Sequence, residues 1–150
     1  EIHIPIATGE RLHTLEEFGM LLARNACQYI RPDVCLCGGI TQAKKIAAAA
    51  EARGVLVVPH NPLGPVSTAA CLQLDAAIPN FAIQEYPLGE DCAPKNEIVK
   101  STLTLDNGYL TVPDSPGIGI ELNEQAMHQY PYKPRLYVTK LREDGSVVDQ

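Results

Sequence analysis

The sequence predicts an α/β fold, and three observations carry that prediction. Short apolar runs of strand character alternate with longer stretches whose apolar residues fall at helical spacing. The alternation recurs about every 25 residues over the first ninety. Each apolar run also ends beside a turn-former or an ionisable residue. Strands that alternate with helices pair in parallel through right-handed crossovers.

The first unit opens with "IHIPIAT" as a short strand. "TLEEFGMLLARNA" follows as a helix with Leu15, Phe18, Leu21 and Leu22 on one face, and Thr14 with Glu17 three residues on is a capping box at its start. "CQYIRPDV" is the second strand, and "TQAKKIAAAAEARG" the second helix, rich in alanine, with Thr41 as its expected cap and Gly54 as its stop. "VLVVPH" is the third strand, followed by a Pro/Gly turn and the helix "VSTAACLQLDAAI", for which Ser67 is the expected cap. "NFAIQE" supplies the fourth strand.

The texture changes after Glu85. "YPLGEDCAPKNE" reads as a loop, and "TLTLDNGYLTVPDSPGIGI" as a β-hairpin turning at Asn107-Gly108. "RLYVTKLREDGSVVDQ" reads as one more β-like run with a polar end. The expected division is residues 1–90 as the repeating unit and 91–150 as an extension packed on it.

Composition narrows the function. With 45% hydrophobic and 20% charged residues the chain is an ordinary globular sequence. A net charge of -6, with its twelve Lys and Arg scattered, argues against a nucleic-acid partner. No apolar run approaches the roughly 20 residues of a membrane span, and no secretory pattern opens the sequence, so a cytoplasmic protein without a membrane partner is expected. Five cysteines lack zinc or disulfide-frame spacing, and Cys35 and Cys37 read as small buried apolar residues. "CGGI" reads as a tight strand-to-helix turn, and "PGIG" is too short for a dinucleotide loop. His3 and His128 read as surface residues.

Aligning the units by their strands brings out the candidate site. Glu10, Asp33, His60 and Glu85 each lie at or just past a strand end, separated by 23, 27 and 25 residues. They should therefore share the carboxyl edge of a parallel sheet, where (β/α) barrels carry their active sites. Gathering carboxylates and an imidazole costs desolvation that chemistry justifies more readily than structure does. Asp33 and His60 sit on adjacent strands, so the carboxylate can accept the Nδ1 proton and leave Nε2 as a base. Glu10 is an oxygen ligand suited to a hard cation such as magnesium. Glu85, as a protonated acid, could donate to developing negative charge. Arg11 and His13, just past Glu10, are candidates for substrate contact.

These residues sit in segments with a family likeness. "IPIATGERL", "RPDVCLCGGI", "KKIAAAAEARGV", "PHNPLGP" and "AIQEYPLG" together resemble the enolase superfamily, within its mandelate racemase subgroup, and most of all the galactonate dehydratase type of acid-sugar dehydratase. The likeness runs over about residues 4–90, with a weaker echo in "GYLTVPDSPGIGIELNE". It implies the last four strands of a TIM-like (β/α) barrel, followed by a carboxyl-terminal appendage with a hairpin.

The resemblance also implies roles. Glu10 matches the last of three carboxylates that hold an essential Mg2+; Asp33 and His60 match the dyad whose histidine takes the proton alpha to the substrate carboxylate. Glu85 matches the acid that hydrogen-bonds the enediolate oxygen. Glu10, Arg11, His60 and Glu85 are the expected substrate contacts. In that superfamily a Lys or His base works with magnesium. The other two metal carboxylates and the acid for the leaving hydroxyl belong to earlier strands in the family. The implied function is dehydration of a small sugar acid to a 2-keto-3-deoxy acid by a homo-oligomeric lyase. A racemase or epimerase of the same subgroup, or a non-catalytic half-barrel subunit, are the alternatives.

Overall fold

Thr14 and Glu17 start the first helix by satisfying each other's backbone. Thr14 Oγ1 accepts the Glu17 N–H at 3.2 Å, and Glu17 Oε2 accepts the Thr14 N–H at 2.9 Å. In the computed structural model, which describes residues 3–134 and 141–146, this box caps α1 (Leu15–Ala23) between strands β1 (Ala7–Thr8) and β2 (Tyr29–Ile30). There follow α2 (Gly39–Glu51), β3 (Leu56–Val57) and α3 (Pro65–Asp75).

Two caps differ from the sequence reading. Residues 33–39 wind straight into α2: the Cys37 N–H reaches Asp33 O at 2.8 Å and the Gly39 N–H reaches Val34 O at 3.0 Å. Gly38 takes φ +101 as the cap, which glycine does without strain, and Thr41 lies inside the first turn. Gly64 caps α3 with Pro65 at its first position, where the missing N–H costs nothing, so Ser67 is a buried helical residue. The end of α2 is as expected: the Val55 N–H returns to Ala50 O at 3.0 Å, with Gly54 at φ +67.

The three strands form one parallel sheet in the order β1-β2-β3, with Ala7, Tyr29 and Leu56 in one row and Thr8, Ile30 and Val57 in the next. The fourth run joins this sheet through one parallel bridge, Val57 to Phe81. Two backbone bonds hold it, Val57 N–H to Asn80 O at 2.8 Å and Ala82 N–H to Val57 O at 2.9 Å. Asn80 locks the junction, because its side-chain amide donates to both Ala47 O and Val55 O at 3.0 Å.

Period-two alternation separates the two faces of the sheet. Ile30 and Val57 are fully buried against Phe18, Leu22, Ile46 and Leu74 from the helices. Ala43, Ala47 and Ala50 are small enough to seat α2 closely on that face. On the other face Ala7 and Leu56 are exposed and Tyr29 is half-buried.

Past the repeat lie a hairpin, β4 (Leu105–Asp106) with β5 (Tyr109–Leu110), and a short helix α4 (Ala126–Gln129). Asn107 at φ 49 and Gly108 at φ 84 make the tight turn expected of that pair. The β-like run expected in "RLYVTKLREDGSVVDQ" falls largely outside the described residues. Among the described residues no helix is long and apolar enough to cross a membrane.

Candidate functional site

The carboxyl edge of the sheet brings Asp33 and His60 together. A parallel bridge pairs the two residues, with the His60 N–H on Pro32 O at 3.1 Å. Their side chains meet as well, Asp33 Oδ2 lying 3.0 Å from His60 Nδ1. Asp33 is 1% exposed, and its Oδ1 accepts the Cys35 N–H at 2.8 Å. Both carboxylate oxygens are thus engaged, and the Asp33 carboxylate favours the tautomer that carries its proton on Nδ1. The Nε2 lone pair is then free to accept a proton, and the imidazole is partly open to solvent.

Glu85 stands on the other side of His60. Its Oε2 accepts the Asn61 N–H at 2.8 Å and the Arg31 Nη2 at 2.6 Å. Burial alone would raise the Glu85 pKa, but the Asn61 N–H and the Arg31 guanidinium outweigh it and hold the carboxyl below its ordinary value. In this arrangement Glu85 Oε2 accepts two hydrogen bonds, which favours the charged carboxyl; the sequence reading had Glu85 as a protonated donor.

A buried polar network stands behind this pair. Asn61, fully buried, donates from Nδ2 to Thr68 Oγ1 at 2.7 Å and to Glu85 O at 3.2 Å. Thr68 in turn hydrogen-bonds Glu90, a residue 2% exposed whose pKa burial raises. Arg31, Asn61, Thr68 and Glu90 were not singled out from sequence. Arg31 had a signal: it lies two residues before Asp33 on the same run and so projects to the same face.

Glu10 and Arg11 take no part in these hydrogen bonds. Past Gly9, Glu10 is half-buried in a groove of about 430 Å³ lined also by Thr8, Arg11, Glu17, Met20 and Arg24. His13 is exposed in a neighbouring groove with Leu36, Gly38 and Lys45. Among the described residues no three His, Cys, Asp or Glu side chains gather to hold a metal. Magnesium takes about six ligands in strict octahedral geometry, so Glu10 would be one donor of an otherwise external set, and these residues do not hold the ion by themselves.

The cysteines divide. Cys37 is buried, with desolvation first among the causes that push its thiol up to about 11. Cys35 is exposed, its Sγ 3.5 Å from Ser67 Oγ, which corrects the expectation that both are buried apolar residues. Asp33 explains the difference: capturing the Cys35 N–H turns the chain outward at that point.

Comparison with known proteins places this geometry. The family model described as enolase C-terminal domain-like matches residues 1–126. D-galactonate dehydratase of Verminephrobacter eiseniae is 39% identical over 127 residues, covering 81% of this chain and 33% of that protein. A D-galactonate dehydratase family member of Streptomyces bingchenggensis is 36% identical over 148 residues, 97% of this chain and 36% of its own. Among solved structures, an enolase of Agrobacterium radiobacter with Na and L-malate bound superposes with a TM-score of 0.84 at 38% identity, over 94% of this chain and 39% of that one. A member of the enolase superfamily from Salmonella Typhimurium gives 0.82 at 38% identity, over 87% and 33%. The chain spans about a third of the length of the curated relatives it matches.

Proposed function

From the premise that the chain belongs to the enolase C-terminal domain-like family and forms part of its (β/α) barrel, we propose that it carries the base of a magnesium-dependent acid-sugar dehydratase. The observation that carries this reading is the Asp33–His60 pair, whose ring-to-carboxylate distance of 3.0 Å leaves Nε2 free at the carboxyl edge of the sheet. A base so placed can take the proton alpha to a carboxylate. The names of the relatives supply the substrate class, a sugar acid such as galactonate.

The chemistry sets what the residues must do. Removing a proton alpha to a carboxylate concentrates negative charge on the carboxylate oxygens, so the site must place positive charge or donors there. His60 accepts the proton on Nε2 while Asp33 holds the imidazole and balances its new charge. The electron pair left on the alpha carbon then forms the alpha–beta double bond as the beta C–O bond breaks, the hydroxyl takes a proton from an acid outside the described residues and leaves as water, and the resulting enol becomes a 2-keto-3-deoxy acid. In this reading Glu10 supplies one oxygen ligand to magnesium, and the remaining ligands lie outside the described residues.

The test is exchange of the alpha proton of galactonate with deuterium, followed by proton NMR on the full-length protein with magnesium. His60→Asn is expected to lower exchange by about a thousandfold, within the range removed with a general base. Exchange in that variant within about tenfold of wild type takes His60 out of the mechanism. Exchange without loss of the beta hydroxyl would indicate racemisation instead.

A further inference from the structure

We propose that Glu90 is a positioning residue for the site, a buried neutral carboxylic acid whose O–H donates to Thr68 Oγ1 and so clasps together the strand ends that carry His60 and Glu85. It acts on both through other side chains. Its effect on rate rests on the acid-sugar reading above; its protonation and its bonding do not.

The link it acts through closes the carboxyl edge. The fourth strand meets β3 at a single bridge, Val57 to Phe81, with its last backbone bond at Ala82 N–H, well short of Glu85. Beyond that point Asn61 joins the two strand ends. Its N–H donates to Glu85 Oε2 at 2.8 Å, and its Nδ2 donates to Glu85 O at 3.2 Å. Asn61 directly follows His60, so whatever orients its amide sets how the base and Glu85 face one another. Thr68 is that group, because its Oγ1 accepts the other Nδ2 proton at 2.7 Å.

The protons available decide the state of Glu90. Thr68 Oγ1 has one proton and three partners: Asn61 Nδ2, Gly64 O at 3.2 Å and Glu90 Oε1. The amide can only donate to it, and the carbonyl can only accept from it. All three bonds coexist when Glu90 carries a proton and donates as well. An ionised Glu90 would draw the hydroxyl proton away from Gly64 O and would hold its charge with that one donor.

Among the described residues nothing else relieves a charge there. Glu90 is 2% exposed, and its Oε2, which has no partner among the described residues, is sealed in by this chain's own atoms and so closed to any segment outside the chain. A lone carbonyl oxygen in that place costs far less than a lone carboxylate oxygen. Lys95 is the nearby cation, but its Nζ donates to Leu88 O at 3.2 Å. Burial therefore outweighs both the Thr68 hydroxyl and Lys95 and holds the Glu90 pKa above its ordinary value.

The experiment compares the full-length protein with Glu90→Gln, which keeps a donor for Thr68, and with Glu90→Leu, which does not. Difference infrared spectra of wild type against Glu90→Gln at neutral pH, taken without substrate, should show the C=O band of a protonated carboxylic acid; carboxylate bands in its place overturn the proposal. Hydrogen exchange over residues 60–62 and 82–86, read by mass spectrometry, should rise about five- to tenfold in Glu90→Leu, as when one neutral hydrogen bond is lost, and stay within about twofold of wild type in Glu90→Gln. Equal exchange in the two variants, raised or not, overturns the proposal, because the donor is then not what holds the strand ends. With galactonate and magnesium, kcat should fall in the same order at nearly constant KM; an undiminished kcat in Glu90→Leu takes Glu90 out of the positioning of the site. Should Glu90→Leu fail to fold, the infrared band decides together with exchange in Thr68→Val, which removes the acceptor and should raise exchange over the same residues. A wild-type protein that leaves galactonate untouched refutes the acid-sugar reading alone, since the band and the exchange need no substrate.

Discussion

Asp75→Asn should make the protein more stable at pH 8 and leave it nearly unchanged at pH 4. Asp75 is the last residue of α3 and 9% exposed, and neither of its carboxyl oxygens has a hydrogen-bond partner among the described residues. Burial pushes its pKa from 3.8 up to about 7. The negative end of the helix dipole works in the same direction. Because the folded value lies above the unfolded one, the folded protein binds more protons than the unfolded chain between these two values, and stability falls as pH rises through that window. At 1.36 kcal/mol per pH unit, the shift from 3.8 to about 7 amounts to at most about 4 kcal/mol of stability lost by pH 8. Asparagine has nearly the same shape and does not ionise, so it escapes that loss. Urea unfolding of both proteins should show a gap below about 1 kcal/mol at pH 4 that opens to about 2–4 kcal/mol in favour of the variant at pH 8. A gap that is the same at both pH values would refute the reasoning, since the argument rests wholly on ionisation of a buried group.

Three further variants test side-chain bonding and packing. Asn80→Ala removes both side-chain bonds to Ala47 O and Val55 O and should lower stability by about 2–4 kcal/mol, read as a lower urea midpoint with little change in slope. Gly9→Ala must place a Cβ 2.7 Å from Phe18 Cε1 at φ +119 and should cost about 2–4 kcal/mol. Gly19→Ala, inside α1 with nothing within 4 Å of the new methyl, should instead raise stability by about 0.5–1 kcal/mol in the same assay. The reverse order of the two glycine variants would contradict the packing described here.

The repeating pattern was legible because each unit states its own boundaries. The Thr14–Glu17 box is local, needing only residues three apart, and it formed as read. Gly54 and the Asn107-Gly108 turn are local too, since each rests on a backbone angle that few other residues adopt. Thr41 and Ser67 were misplaced for a different reason. Both are good caps in isolation, but the loops before them start the helix earlier, one through a glycine and the other through a proline at the first position. The fourth strand is a single bridge, held by Asn80 reaching back to Ala47 of α2 and to Val55 just before β3. No local pattern announces such a bond.

The site divides along the same line. Asp33 and His60 could be paired from their strand positions, since equal offsets along parallel neighbours put residues opposite one another, as the bridge between them shows. What lies between Asp33 and Glu85 could not be read that way, because it depends on which donors reach a given oxygen. Residue type alone left Glu85 free to be an acid. Two donors on its Oε2 favour the carboxylate. Burial pushes the Glu85 pKa up, while the arginine at 2.6 Å favours the charged carboxyl. The buried Asn61–Thr68–Glu90 network stands behind Glu85 and fixes its backbone through the bond from Asn61 Nδ2 to Glu85 O, a set of long-range contacts that residue type and spacing do not announce.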